Sequence, residues 1–334
     1  MGGRRTNATR NVIIDCDPGI DDSLALLLAL KSPALNVIGI TIVCGNVPTH
    51  IGAENALKIL DLADRLDIPV YLGANRPLEV PYTSAQDTHG DDGLGNSQIP
   101  EVTAVRPIQD AVSFIVDTLT EAPTTSILAL GPLTNIATVL QRDPQLFEQV
   151  EQFTLMGGSY RSHGNCSPVA EYNFWCDPDA AKVVFDLMPV PIQMVGLDVT
   201  RKIVLTPSLL TYIKDINPEL GAFVEKITKF YFDFHWQYER VIGCVINDPL
   251  AVAAMIDPAI LAGFESYTTV ATTGVARGQS IVDDHDFWHT PANSDIMTDV
   301  DVPAFWRLFL TTVFGATEPD LTQVLNQLVK PCEK

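Results

Sequence analysis

Asp15-Cys16-Asp17-Pro18-Gly19-Ile20-Asp21-Asp22 places four carboxylates within eight residues, entered from the apolar run Val12-Ile13-Ile14 and left through the apolar segment 23–30. This pattern predicts a strand that ends in an acidic turn and restarts as a helix. Asp15 and Asp17, two apart on an extended backbone, leave the strand on one side. Pro18-Gly19 breaks the strand, and Asp21 and Asp22 fall in the first helical turn, where the helix dipole favours negative charge. A hard divalent cation such as Ca²⁺ or Mg²⁺ suits such a cluster, because it takes several oxygen ligands. Without one, like charges repel and raise one another's pKa values. A single Asp would be an ordinary helix cap, but four with Pro-Gly between them exceed what a cap requires. An EF-hand loop is excluded, because the twelfth residue counted from Asp15 is Leu26, where that loop needs Glu.

The remainder alternates strand and helix. Residues 36–43 form a β-branched run expected of a strand buried on both faces. Apolar residues at helical spacing follow over 49–66, then a third strand at 68–73. Further strands are expected at 126–130, 152–156 and 191–197, and helices over 108–121, from Thr134-Asn135, and from Asp177 as N-cap with Pro178 at the first position. The expected C-terminal elements are strands at 266–271 and 279–282 and a helix from Pro303. The implied fold is α/β: an open, mainly parallel central sheet flanked by helices, Rossmann-like, with a few extra C-terminal strands. We read residues 11–330 as one domain behind a polar extension, 1–10. Ligands of such sheets gather at the C-terminal strand ends, so polar residues just beyond those ends are the candidates. The long proline-containing connection 76–107 reads as a binding loop or lid. His89, within it, reads as plain surface when taken alone. The aromatic-rich run 231–240 reads equally as a core helix or a wall for a planar ligand.

The opening segment resembles the DxDPGxDD signature of the nucleoside hydrolases (nucleoside N-ribohydrolases, inosine-uridine preferring type), Ca²⁺-dependent enzymes that cleave the N-glycosidic bond of ribonucleosides. Asp87-Thr88-His89-Gly90-Asp91-Asp92-Gly93-Leu94-Gly95 is similar to the His-Gly…Gly-Leu-Gly loop that this family carries over its active site. Met156-Gly157-Gly158, Asn165 and Pro168-Val169-Ala170-Glu171-Tyr172-Asn173 follow its Met-Gly-Gly…Asn…Pro-Val-Ala-Glu-(aromatic)-Asn segment. The resemblance runs from about residue 11 to at least 254, more weakly to the C-terminus. It implies hydrolysis of ribonucleosides, purine or pyrimidine, to free base and ribose in nucleoside salvage. It also implies Ca²⁺ bound by Asp17, Asp22, the Leu130 carbonyl and Asp248, with Asp17 accepting the proton of the attacking water. Asp21, Asn46, Met156, Asn165, Glu171 and Asn173 would grip the ribose. The family's His-Asp-Pro/Ala, whose His helps protonate the departing base, reads Asn247-Asp248-Pro249 here. Asn cannot donate a proton as an acid. His89, His235, Trp236, Tyr238 or Arg240 is then expected to take that role, unless water does.

The net charge of −20 argues against nucleic-acid or anionic-membrane partners, since both need a basic face. A small ribonucleoside is the expected partner, and the resemblance implies a homodimer or homotetramer. No apolar run approaches a membrane span of about 18 residues. The first ten residues lack the apolar core of a secretory signal, and Met1-Gly2-Gly3-Arg4-Arg5-Thr6 matches the loose myristoylation pattern by chance. Six cysteines (16, 44, 166, 176, 244, 332) show no CxxC pairing and read as small buried residues in a reducing cytoplasm, although an even count allows disulfides. Two other classes are open. A haloacid-dehalogenase-type phosphatase would use Asp15 as nucleophile with Mg²⁺, but the Pro18-Gly19-Ile20-Asp21-Asp22 continuation argues against it. A nucleoside-binding protein that lost turnover with Asn247 would keep the Ca²⁺ and ribose contacts.

Overall fold

The structure is a computed structural model and describes residues 9–329. The expectations for Met1–Thr6, for most of the 1–10 extension and for Cys332 lie outside the described residues.

The strand ahead of the acidic turn is β1 (Arg10–Cys16), and the helix that restarts after Pro18-Gly19 is α1 (Ile20–Lys31). β1 feeds alternate side chains to two cores: Val12, Ile14 and Cys16 to one, Ile13 to the other. That is the period-two signature of a strand covered on both faces. Every α1 residue from Ile20 to Leu30 is buried, so this helix has no solvent stripe and runs through the interior. The next βα pairs are β2 (Leu35–Ile42), α2 (Thr49–Leu62) and β3 (Val70–Leu72).

Within the connection 76–107 a short helix, α3 (Gln86–His89), is fastened down rather than left loose. Asn55 Nδ2 donates to the carbonyls of Asp92 and Pro18 at 2.8 and 3.0 Å, and Leu94 is buried in the core. The helix expected from residue 108 starts later. Ile108–Gln109 pairs with β3 as β4, and Asp110 caps α4 (Ala111–Glu121) by accepting from the Ser113 N–H.

β5 (Ser126–Ala129), α5 (Thr134–Arg142), β6 (Phe153–Met156), α6 (Tyr172–Cys176), α7 (Pro178–Leu187), β7 (Ile192–Val195) and α8 (Leu197–Thr200) complete the parallel half. As expected, Asp177 caps α7, accepting from the Ala180 N–H with Pro178 at the first position. Then come β8 (Val204–Leu205), α9 (Pro207–Ile216), the long α10 (Pro218–Glu239), β9 (Cys244–Val245) and α11 (Asp248–Ile256). Last are β10 (Leu261–Ser266), β11 (Thr268–Val270), β12 (Ser280–Val282), β13 (Ser294–Val300), α12 (Val302–Phe314) and α13 (Asp320–Leu328).

The main sheet has nine strands in the order β10-β13-β7-β6-β5-β1-β2-β3-β4, parallel except for β10. Strand order runs outward from β1 in both directions, so the topological switch lies between β1 and β5, where open α/β sheets bind ligands. The acidic turn leaves β1 at that point. The C-terminal strands differ from expectation in their placement. β11 and β12 pair only with each other, while β13, unforeseen, joins the main sheet beside β7. Cys16, Cys44, Cys176 and Cys244 are buried, but Cys166 is exposed because it lies in the irregular segment between β6 and α6; all five are free thiols. Among the described residues no helix is long and apolar enough to cross a membrane.

Candidate active site

Where β1 ends, Asp17 drops beneath the turn and is fully buried. Its Oδ2 accepts from the Asn46 N–H at 2.6 Å, whereas its Oδ1 is buried with no hydrogen-bond partner. Asp22, one helical turn along, receives the N–H groups of Asp17 and Gly19 and the side-chain amide of Asn46, at 3.3, 3.0 and 2.9 Å. Asp248 is buried in the first turn of α11. Asp21, Asp22 and Asp248 each offer one carboxylate oxygen, and these lie within 4.8 Å of one another. Burial and mutual repulsion push the Asp22 carboxyl up to about 7 and hold those of Asp17 and Asp248 well above the usual carboxylate range. Such a cluster cannot ionise fully without a compensating cation. The donor set is all oxygen, with a buried Oδ1 left over, and fits a hard divalent ion. The clustered carboxylates are thus Asp22 and Asp248 of the sequence grouping together with Asp21, while Asp17 of that grouping lies outside the cluster, held by the Asn46 N–H. The Leu130 carbonyl accepts from Asn173 Nδ2 at 2.8 Å, which leaves a second lone pair.

Above this floor lies a cavity of about 530 Å³. Asp21, Asn46, His89, Leu130, Met156, Asn165, Glu171, Asn173, His235, Tyr238, Asn247 and Asp248 line it, so most of the candidates named from sequence meet in one place. Asn173 spends its amide nitrogen on the Leu130 and Met156 carbonyls, at 2.8 and 3.1 Å. That fixes its Oδ1 as an open acceptor. Asn165 is the reverse: its Oδ1 accepts from the Tyr172 N–H at 2.9 Å, so its amide N–H groups remain available. Glu171 is the N-cap of α6, with Oε1 on the Asn173 N–H and Oε2 on the N–H groups of Gly158 and Phe174. Burial raises its carboxyl to about 7.

His89 and His235 flank Tyr231, with ring centroids 5.2 and 4.4 Å from the tyrosine ring. His89 Nδ1 accepts from the Ile20 N–H at 3.1 Å. His235 Nδ1 lies 2.9 Å from the Tyr231 carbonyl, a pure acceptor, and must donate to it. Burial lowers the pKa of both imidazoles, so both are neutral near pH 7.

Trp236 and Arg240 lie apart from this cavity. Tyr231, Phe234, His235, Tyr238 and Glu239 line it, a stripe at helical spacing along α10. Trp236 falls on the other side and is 53% exposed, and the Arg240 guanidinium stacks over it at 5.6 Å. Sequence reasoning in turn missed Arg201, His163, Glu239 and Trp175, which all line the cavity. Arg201 follows β7 by six residues, so collecting polar residues beyond every strand end would have found it.

The profile described as "Inosine-uridine preferring nucleoside hydrolase" matches residues 12–307. The chain belongs to the nucleoside hydrolase family. This nucleoside hydrolase is 33% identical over 312 residues to the Arabidopsis thaliana protein named "Probable uridine nucleosidase 2", covering 90% of this chain and 96% of that one. Its structure matches "Plant nucleoside hydrolase - PpNRh1 enzyme" with a TM-score of 0.87 and 31% identity, over 92% of this chain and 100% of the other. A "Purine-Preferring Ribonucleoside Hydrolase from Gardnerella vaginalis" matches with a TM-score of 0.85 and 34% identity, over 92% and 98%. The reaction is hydrolysis of the bond between ribose and base, which removes the phosphatase alternative. One relative is named for uridine and another for purines, so relatedness alone does not name the base.

Proposed function

We propose that this nucleoside hydrolase works with a Ca²⁺ ion held by Asp17, Asp22, Asp248 and the Leu130 carbonyl, and reads its substrate chiefly through the ribose. The buried, unpartnered Asp17 Oδ1 carries this reading. A buried carboxylate oxygen without a donor costs several kcal/mol unless a cation meets it. A donor set of carboxylates and a carbonyl, without His or Cys, favours Ca²⁺ or Mg²⁺ over transition metals. The ion, when bound, would supply positive charge that polarises a water and draws in the ribose 2′- and 3′-hydroxyls.

The rest falls to the chain's own residues. Asp17, fully buried and outside the cavity lining, would accept the proton of the attacking water. Asn173 Oδ1 accepts from one ribose hydroxyl, and the free N–H groups of Asn165 donate to another. Asn46 acts indirectly, by bonding Asp22 and Asp17 and so fixing both carboxylates. Glu171 has most of its lone pairs occupied by backbone N–H groups and holds the ribose segment in shape as well as touching the sugar. Met156 packs beside Asn173. These contacts sit at the sugar end, where hydrolysis through an oxocarbenium-like ribose needs its stabilisation.

Ribose release from uridine, inosine, adenosine and their 2′-deoxy counterparts, with Ca²⁺ and after chelation and dialysis, tests this. Ribonucleosides should be favoured by about 100-fold or more, and Ca²⁺ should restore what chelation removes. Undiminished turnover after exhaustive chelation, or equal rates on deoxynucleosides, would sink the proposal. Nucleoside binding without any release would make this chain a binding protein.

A further inference from the structure

With Asn at position 247, heterolysis of the glycosidic bond leaves an electron pair on the base nitrogen with no acid at that position. The cavity is polarised along its length. Of its lining, Asp21, Asp248 and Glu171 are buried, while His163 and Tyr238 are exposed and Phe234, Glu239 and Arg201 are partly so, which sets a deep acidic end against an open rim. A polyol joined to a planar heterocycle fits this one way round, hydroxyls on the floor and base at the rim. His235 Nδ1 is committed to the Tyr231 carbonyl and His89 Nδ1 to the Ile20 N–H.

Among the described residues that line the cavity, Arg201 is the single Lys or Arg side chain. Its side chain is 18% exposed and anchored on two sides. One terminal nitrogen donates to the Gly164 carbonyl at 3.0 Å, next to Asn165 of the ribose segment, and lies 3.7 Å from the Glu239 carboxylate. The other terminal nitrogen packs against the His163 ring. A guanidinium has five N–H donors and no acceptor, and keeps its charge at any relevant pH. It can stabilise an anion without transferring a proton.

We propose that Arg201 is the leaving-group residue of this enzyme: it receives the negative charge of the departing base, which leaves as an anion instead of being protonated by residue 247. The C1′–N bond breaks with both electrons going to the base nitrogen, and the charge spreads onto the ring carbonyl oxygens that the guanidinium faces. The water oxygen bonds to C1′, and the water's proton passes to Asp17. The base anion takes a proton from solvent after release. This inference rests on the ribose-first orientation proposed above.

Ribosides with leaving groups of different acidity test it. In Arg201→Gln, kcat on uridine and inosine should fall about 100-fold, because their bases leave as poorly stabilised anions. On p-nitrophenyl riboside, whose phenolate needs little help, the fall should be under about tenfold, and this substrate also reports that the variant is folded. Arg201→Lys, which keeps the charge and loses the fork, should lie between. Equal losses on both kinds of substrate would make Arg201 a structural residue and overturn the proposal, as would undiminished nucleoside turnover. Asp17→Asn run in parallel should lose both kinds of substrate. If wild-type rates on uridine and 2′-deoxyuridine are equal, the ribose-first orientation fails, and the Arg201 role with it.

Discussion

Asn247 directs both of its nitrogen donors to one oxygen: its backbone N–H reaches Asp21 Oδ2 at 3.2 Å and its side-chain amide reaches the same atom at 3.0 Å. Its own Oδ1 is buried without a partner. Residue 247 therefore serves the carboxylate floor and, as Asn, offers the base no acid. A hydrogen bond to a charged, buried carboxylate contributes about 1.5–3 kcal/mol.

Asn247→Ala should accordingly weaken nucleoside binding by about tenfold or more, seen chiefly in KM, because the change loosens Asp21 without touching the water or the base. Asn247→His should raise purine release about tenfold, equivalent to about 1.4 kcal/mol, by adding an acid beside the leaving group. Steady-state kinetics with inosine checks both. An unchanged KM in the alanine variant and an unchanged rate in the histidine variant would take residue 247 out of the site's working parts.

Two glycines clasp the Asp17 carboxylate. A Cβ on Gly131 would sit 2.5 Å from Asp17 Oδ1 and 2.9 Å from Val43, and a Cβ on Gly45 would collide with Oδ2. Gly131→Ala should push Oδ1 out of place and cost about 100-fold in kcat, since a displacement near 1 Å at a reacting group has that effect. In an Asp17→Ala background the same change should cost little further, because the partner in the clash is gone. A double-mutant cycle read by residual activity and Tm decides this. Additive losses would mean that Gly131 acts on the backbone and not on Asp17.

How far the chain could be read ahead of its structure varied with the kind of signal. The Asp15–Asp22 turn, the βα alternation and the Asp177 cap are local patterns written in adjacent residues, and each appeared where expected. β13 was not visible, because Ser294–Val300 reads as a mixed polar run and earns its place only by pairing with β7 and β10. Asn135 was seen merely as a helix start. Its Nδ2 in fact bonds Asp15 Oδ1 at 2.8 Å across 120 residues, a contact no spacing rule predicts. Arg201 and Glu239 are charged residues of ordinary appearance, which the fold brings to 3.7 Å from each other. Trp236 and Arg240 failed to reach the cavity for a reason the sequence did contain: 231, 234, 235, 238 and 239 share one helical face and 236 and 240 do not.

Removing the ion should be visible in stability as well as in activity. A ligand that binds the folded state alone adds about 2.7 kcal/mol at 100 times its Kd, so saturating Ca²⁺ should raise Tm by several degrees over the chelated protein. Asp248→Asn removes one ionisable carboxyl from a buried cluster of them. It should shrink the Ca²⁺-induced rise while leaving the chelated protein no less stable than the wild type. A calorimetric series with and without Ca²⁺ tests this, and an equal Ca²⁺ shift in both proteins would place the ion elsewhere.

Glu171, outside the proposed ligand set, offers a test of the site's electrostatics. Its carboxylate caps α6 through the N–H groups of Asn173 and Phe174 and accepts a third from Gly158, yet burial outweighs them and lifts its pKa from 4.5 to about 7. A carboxyl with a raised folded-state pKa holds its proton more tightly in the native protein than in the unfolded chain. Its contribution to stability is therefore full below about pH 4.5 and is lost as pH rises through 7. At about 1.4 kcal/mol per unit, the whole effect is about 3 kcal/mol at most. Glu171→Gln cannot titrate, and its amide N–H₂ faces backbone donors, so it should be less stable than wild type at pH 4.5. The gap between the two proteins should then narrow by up to about 3 kcal/mol by pH 7.5. Urea denaturation of both at each pH, in chelator, measures the difference. A gap that stays constant, or widens with pH, would mean that the three N–H donors win over burial and that Glu171 is ionised throughout.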